Sequence, residues 1–408
     1  MIIHQPEMIN KDGEILISAH VEVQSPSLAS VEMPKKLWFS FPEGYKNFIS
    51  DQSDGFIASL ILRAMRLGEN IEVRGETSSR LAYGLKEYQA IYNAWLPKQL
   101  KTISVNYQKM NTSTDQLSPK GVGTAFSGGV DSFHTLSLNL PQNQLNMPYQ
   151  ITHGLFVHGF DISLAEKKQY NTLLSHYEAL FKHLGIILLT AKTNIRQFYA
   201  YQVGWLYTHG GPLIGTALVL GKLFRTFYIP ATYVYPNLAP AGTSPLSDHL
   251  LSTEDTQIIH HGATTNRSEK MDCLTQWQPT YENLRVCIYP QKAIGHLNCG
   301  KCEKCIPAMA HLFFYDQIKN YTVFPKSNIL ILYVRWFFNM GAEYSFVTRL
   351  IKRTIILRKF WLIPLLLLIY VGGFLTDTRV KIKSLIPYEI KYRIRKRLGI
   401  GLIQKKNQ

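Results

Sequence analysis

The chain has 408 residues, enough for two or three packed units with a sizeable core. At 46% hydrophobic and 18% charged residues its composition is that of a folding protein, which excludes a disordered or low-complexity chain. The formal charge of +16 sits at one end: residues 335–408 hold 16 Lys+Arg against 3 Asp+Glu, whereas residues 1–334 hold 28 against 25, so the bulk of the chain lacks the basic excess of a nucleic-acid binder.

In chain order, residues 1–115 read as a small α+β N-terminal domain. Apolar alternation predicts strands over 14–23 and 36–41, and a helical period predicts a helix over 56–67. A strand over 70–74 and a helix over 79–95 follow, and the polar run 111–116 predicts a linker. Residues 120–325 alternate strand and helix, the pattern of a parallel sheet with flanking helices. Strands are expected over 123–126, 154–157 and 226–229, a helix over 133–140, and a third strand entered through 183–189. Gly/Pro-rich loops are expected at 209–212 and 239–245, with a further loop at 251–254. There His209 either touches ligand or is structural, and Thr253 and Glu254 either bind substrate or cap the next element. Residues 326–408 form a basic, apolar C-terminal tail. Its uncharged run 360–375 would span about 24 Å as a helix, short of the ~30 Å hydrocarbon core, and Pro364 interrupts it. Three readings stand: a peripheral contact with an anionic membrane surface, a buried helix, or a full span. The closing basic run 391–397 suits lipid headgroups or RNA.

The chemistry concentrates in Phe126-Ser127-Gly128-Gly129-Val130-Asp131-Ser132. Two glycines let a backbone approach an anion closely, and a helix start supplies unpaired N–H donors. Ser127 and Ser132 add hydroxyls, and Asp131 adds a carboxylate for a metal ion or a water. No Gly-Lys-Ser/Thr follows and the G-x-G-x-x-G spacing is absent, so this is neither a Walker loop nor a dinucleotide fingerprint. A pyrophosphate cradle and a plain Ser/Gly turn are the two readings. In an open α/β sheet ligands bind beyond the carboxyl ends of the strands, which puts His158 and Asp161 near the same edge. Asp161 either binds nucleotide or magnesium or simply ends a strand in a turn. Arg267, Lys270 and Arg285 are candidate phosphate or carboxylate partners, with a solvated surface charge the alternative, and the favoured one for Lys270.

Of five cysteines, Cys299, Cys302 and Cys305 form two overlapping C-x-x-C steps, and Cys287 can close a four-sulfur site. Structural zinc, an iron–sulfur cluster, a redox pair or a disulfide all fit the spacing; the odd count and the lack of a secretory signal disfavour disulfides and point to a cytoplasmic chain. Cys273 is expected to be an ordinary buried thiol.

The Ser-Gly-Gly-x-Asp-Ser loop resembles that of the PP-loop ATP pyrophosphatases. Together with Cys287 and the Cys-Gly-x-Cys-x-x-Cys run about 170 residues later, it resembles cyano-deazaguanine synthase within that superfamily, over residues 120–315. The resemblance implies a PP-loop fold with a zinc-binding C-terminal lobe and zinc on Cys287, Cys299, Cys302 and Cys305. It implies ATP and Mg2+ on Ser127, Gly128, Gly129, Val130, Asp131, Ser132, His158 and Asp161, with Asp131, Ser132 and Arg285 in catalytic roles. The implied reaction adenylates a small-molecule carboxylate, releases pyrophosphate, and passes the acyl group to a nitrogen donor to give an amide or nitrile. The family's Asp-Tyr-Gly-Gln-Arg-His segment is missing here, replaced by residues 153–162, and 120 residues precede the loop, so the expected substrate is another carboxylate. The alternatives are a tRNA-thiolating PP-loop enzyme and a non-catalytic interaction protein at a membrane.

Overall fold

In the computed structural model the described residues are 1–24, 33–111, 121–199, 204–328, 331, 332, 334 and 344–372. Linker residues 112–116, the end of the apolar run at 373–375 and the basic run 391–397 lie outside them. The chain divides into two compact units, Met1–Arg285 and Val286–Gln408. Neither boundary expected from the sequence, near 115 and 325, is where it divides.

The first unit is α/β, built on one mixed sheet of eleven strands. They are β1 (Ile2–Ile3), β2 (Glu7–Lys11), β3 (Glu14–Glu22), β4 (Lys36–Pro42), β5 (Ile71–Ser78), β6 (Val105–Asn111), β7 (Gly121–Ala125), β8 (His153–His158), β9 (Ile187–Thr193), β10 (Phe224–Pro230) and β11 (Gln257–His261). Their spatial order is β11-β10-β7-β8-β9-β4-β3-β1-β5-β6, with β2 beside β3.

The N-terminal strands follow from local chemistry. Asp12 and Gly13 both adopt positive φ, the turn that an Asp-Gly pair favours, and fold β2 back on β3 with Lys11 opposite Glu14. Along β3, Ile15, Ile17, Ala19 and Val21 are buried, and the first three pair across to Phe41, Phe39 and Leu37 of β4. β4 then runs antiparallel to β9 through Phe39–Thr193 and Ser40–Lys192. Asn194 accepts the Trp38 amide at 3.0 Å and donates to Lys36 O at 2.9 Å, and Lys192 pairs with Glu14. Residues 1–111 therefore extend the same sheet as residues 121–285.

The helices are α1 (Asp54–Leu67), α2 (Ser79–Trp95), α3 (Val130–Asn139), α4 (Lys167–Leu184), the short turns α5 (Arg196–Tyr199) and α6 (Trp205–Thr208), α7 (Gly210–Val219) and α8 (Arg267–Leu274). α1 is buried along nearly its whole length, because it lies against α7 at glycine contacts. A Cβ on Gly215 would meet Gly55 O at 2.4 Å, and one on Gly55 would meet Gly215 O at 2.6 Å. The stretch 209–212, expected as a loop, is instead the start of α7, since Pro212 is tolerated in a first helical turn. Likewise α4 continues through His183 to Leu184 and ends where Gly185 turns left-handed, so the third parallel strand begins at Ile187 rather than near 183.

The five parallel strands run β9-β8-β7-β10-β11. Chain order reverses at β7, whose carboxyl end is the switch point at which such sheets open a ligand crevice.

The second unit contains α9 (Cys305–Phe314), α10 (Tyr344–Ile356), a tight turn at Phe360–Leu362 and a helix over 363–372. Among the described residues no helix is long and apolar enough to cross a membrane.

Candidate functional site

β7 is made of small, buried residues and delivers the chain into the loop 126–129 at the switch point. Phe126 anchors the entry: its ring meets Phe133, Tyr177 and Phe181 edge-on at 4.8–5.1 Å. Gly128 then takes φ +74°, and a Cβ there would lie 1.8 Å from Tyr177 Oη. No other residue type fits that position. Its carbonyl accepts the Arg285 amide at 2.7 Å, and Gly129 N donates to Ser127 Oγ at 3.3 Å.

Gly129 stands at the N-cap of α3, and no side chain caps the helix. The N–H groups of Val130, Asp131 and Ser132 belong to the first turn and have no intrahelical acceptor. Phe133 N is the first to be satisfied, by Gly129 O at 3.0 Å. Ser132 is buried and donates to Gly129 O at 2.9 Å, so its hydroxyl proton is spent on the loop itself.

Asp131 bears two cations: Lys270 Nζ at 3.0 Å and Arg267 Nη1 at 3.4 Å. Lys270 is not a solvated surface charge. It is 1% exposed and also donates to Ala231 O. The cause is α8, which opens with a reciprocal capping box between Asn266 and Glu269 and carries Arg267 and Lys270 one turn apart on the face toward α3. His134 and His261 lie close by. Burial first, and the Lys270 charge second, lower both to about 4, so both rings are neutral near pH 7. Asn139 donates to His261 Nε2, which fixes the His261 proton on Nδ1 toward Thr135 Oγ1. His134 Nδ1 is buried with no hydrogen-bond partner among the described residues.

Arg285 joins this site through its backbone, which braces Gly128. Its Nε is buried with no hydrogen-bond partner among the described residues, and its charge acts on Tyr177 beneath the loop. His158 and Asp161 do reach the same sheet edge, one strand over, but the His158 ring is already engaged: it stacks on Tyr170 at 4.2 Å and donates to Ser163 O at 2.8 Å. Burial lowers its pKa. Asp161 is exposed and acts electrostatically on Arg196. Glu254 accepts the Arg80 amide at 2.8 Å in the first turn of α2, and Thr253 O accepts Arg80 Nη1, so this pair braces a helix. His209 turns back on Trp205 O.

The candidate metal-ligating group lies within the second unit. Cys287, Cys299, Cys302 and Cys305 are buried, and their sulfurs all fall within 4.8 Å of one another. Cys302 Sγ is 3.3 Å from Cys305 and 4.0 Å from Cys287, and Cys299 is 3.9 Å from Cys305. Four Zn–S bonds of about 2.3 Å in a tetrahedron space their sulfurs about 3.8 Å apart, whereas a disulfide needs about 2.05 Å. The spacing suits one ion. It is too tight for a cluster whose irons stand between the thiolates. Hydrogen bonding among the thiols lowers the Cys302 pKa and raises those of Cys287 and Cys305, so Cys302 is the thiolate of the group, and the amides of Cys299 and Lys301 donate to Cys287 and Cys299 sulfur. Backbone N–H donors to sulfur favour the thiolate form.

Gly300, at φ +67°, makes the turn inside the first C-x-x-C step, and Cys305 begins α9. Asn298, fully buried, splints the group: its Oδ1 accepts the amides of Val286 and Cys287, and its Nδ2 donates to Val323 O. Cys273 stands apart and is exposed, not buried as expected, because it occupies the outer side of α8.

A second set of metal-capable side chains comprises His4, just after β1, and His20 and Glu22 at the end of β3. Arg74 Nη1 is 3.4 Å from His4 Nδ1, where a ligating histidine would need an acceptor, so this set reads as a hydrogen-bonded surface cluster.

Comparison with protein-family models, with curated proteins and with solved structures finds no match to the chain.

Proposed function

We propose that the chain is a PP-loop ATP pyrophosphatase that adenylates a small-molecule carboxylate and releases pyrophosphate, with the acyl group then passed to ammonia or an amine. The observation that carries this reading is the uncapped N-terminus of α3, presented by Gly128 and Gly129 at the switch point of a parallel sheet.

The chemistry asks the protein to position phosphates and to stabilise charge on the departing pyrophosphate. The first-turn N–H groups of α3 supply fixed donors at low reorganisation cost. Lys270, Arg267 and Arg285 supply the positive charge. Asp131 holds two of these cations in register with the loop and is the one carboxylate in it. Magnesium would arrive on the phosphates, keeping most of its waters, with Asp131 within reach. No side chain in this scheme needs to become a covalent nucleophile.

The four cysteines would hold zinc as a structural ion: four thiolates leave no open coordination position, so the ion fixes the fold of the second unit and takes no part in the reaction.

The test is product analysis. ATP incubated with the chain, Mg2+, ammonium and a panel of carboxylates should yield AMP and pyrophosphate with at least one carboxylate. ADP and inorganic phosphate as the steady products would overturn the reading. Cys273→Ser should leave turnover intact, whereas a tRNA-thiolating enzyme using this cysteine as sulfur carrier would lose it.

A further inference from the structure

In the second unit α10 and the helix over 363–372 bury one stripe each: Val347, Leu350 and Thr354 on the first, Leu362, Leu366 and Ile369 on the second. An ordinary surface helix would turn polar residues outward opposite such a stripe. Here the exposed residues from 355 to 371 are apolar or aromatic apart from Arg358. Ile356 is 76% exposed and Trp361 59%, and Leu357, Phe360, Leu368 and Val371 are exposed beside them. The corner itself is built: Arg358 takes φ +54°, and Lys359 N closes α10 on Thr354 O at 2.9 Å. Arg353 stacks over Tyr315, and Lys359 binds Phe314 O and Asp316, which fasten the hairpin to the end of α9.

Charge identifies the occupant. The charged residues of 344–372 are Arg349, Lys352, Arg353, Arg358 and Lys359, with no acid among them; Arg358 is exposed at the corner and Lys352 is exposed one helical turn before Ile356. A second copy would bring the same positive charge to the same face. A nucleic acid would satisfy the cations but leave the aromatic and aliphatic side chains in water. An anionic bilayer surface satisfies both, with apolar groups at the headgroup–acyl boundary and cations at the phosphates.

We propose that this corner is a peripheral docking surface for an anionic lipid bilayer, entered by Ile356, Phe360 and Trp361 and steered by Lys352 and Arg358. The proposal is independent of the ATP reaction.

Flotation of the full chain with phosphatidylcholine vesicles, with and without about one third phosphatidylglycerol, tests it. The chain should float with the anionic vesicles and not the neutral ones, and should be released by high salt. Ile356→Glu with Trp361→Glu should lower partitioning at least tenfold, and so should Lys352→Glu with Arg358→Glu. Unchanged circular dichroism and unchanged zinc content in each variant would show that the fold persists. The proposal would be overturned by a full chain that ignores anionic vesicles, by binding that both double variants retain (which would assign it to residues 373–408), or by a lipid-free dimer dissolved by Trp361→Glu. Tighter binding to tRNA than to anionic vesicles at physiological salt would also overturn it.

Discussion

Gly128 faces Tyr177 Oη across a gap with no room for a methyl group, in a backbone conformation that L-residues avoid. Gly128→Ala should therefore destabilise the first unit by about 2–4 kcal/mol and weaken ATP binding more than its stability loss accounts for. Denaturant midpoints beside nucleotide titration would separate the two effects. Lys270→Ala removes the buried partner of Asp131, at a cost of about 3 kcal/mol, and should reduce ATP affinity, whereas a surface lysine in that place would change neither. Lys270 could not be read from the sequence because its partner lies 139 positions away. Its helix was readable, since Asn266 and Glu269 stand at capping-box spacing. Acid should also weaken this unit. His134, His153 and His261 are held near 4, mainly by burial, against an ordinary 6.5, so the unfolded chain takes up their protons first as pH falls. Asp54 works the other way: buried, it is pushed to about 7, and the folded chain holds its proton above 3.8. Three histidines against one aspartate leave the unfolded state with about two extra protons between pH 6.5 and 4. Stability should then fall by on the order of 2–3 kcal/mol for each pH unit lost in that window. Urea midpoints at pH 7, 5.5 and 4.5 would measure it; a flat profile would contradict the neutral-histidine assignment.

At the level of elements, the cysteine group predicts one zinc per chain by elemental analysis, with Cys299→Ser losing the metal and unfolding part of the second unit. Asn298→Ala keeps all four ligands but removes their splint, and should weaken zinc binding by about 10–100-fold in a chelator competition. The Cys-Gly-x-Cys-x-x-Cys run was legible because its spacing is local; Asn298 was not, because its partners Val286 and Val323 flank it at a distance along the chain. Strands with clear alternation, such as β3, were legible for the same local reason. β11 is only five residues long, and its two isoleucines sit side by side before two histidines, so no alternation marks it as a strand. At 209–212 the pattern misled, because the two glycines that read as a loop serve close packing of α7: Gly211 against Ala58 O of α1 and Gly210 against Gly242 O.

For the whole molecule, the continuity of β4 with β9 matters most. A linker-like composition at 111–116 marks no independent domain when the strands on either side belong to one sheet. Strand pairing between residues 39 and 193 leaves no trace in local sequence, so this part of the architecture was beyond sequence reading. A chain beginning at residue 116 would expose the β9 edge and the α7 face that α1 covers, and should aggregate instead of folding as a free nucleotide-binding domain. Light scattering and circular dichroism of that truncation would check it.

The proposed reaction cleaves ATP between its α and β phosphates at the loop that leads into α3. Its most direct test uses ATP labelled at the α-phosphate, incubated with the full chain, Mg2+, ammonium and candidate carboxylates, and compared with Asp131→Ala. Label should appear in AMP with equimolar pyrophosphate, and both should be lost in the variant. Label accumulating in ADP, or turnover that survives Asp131→Ala unchanged, would contradict it.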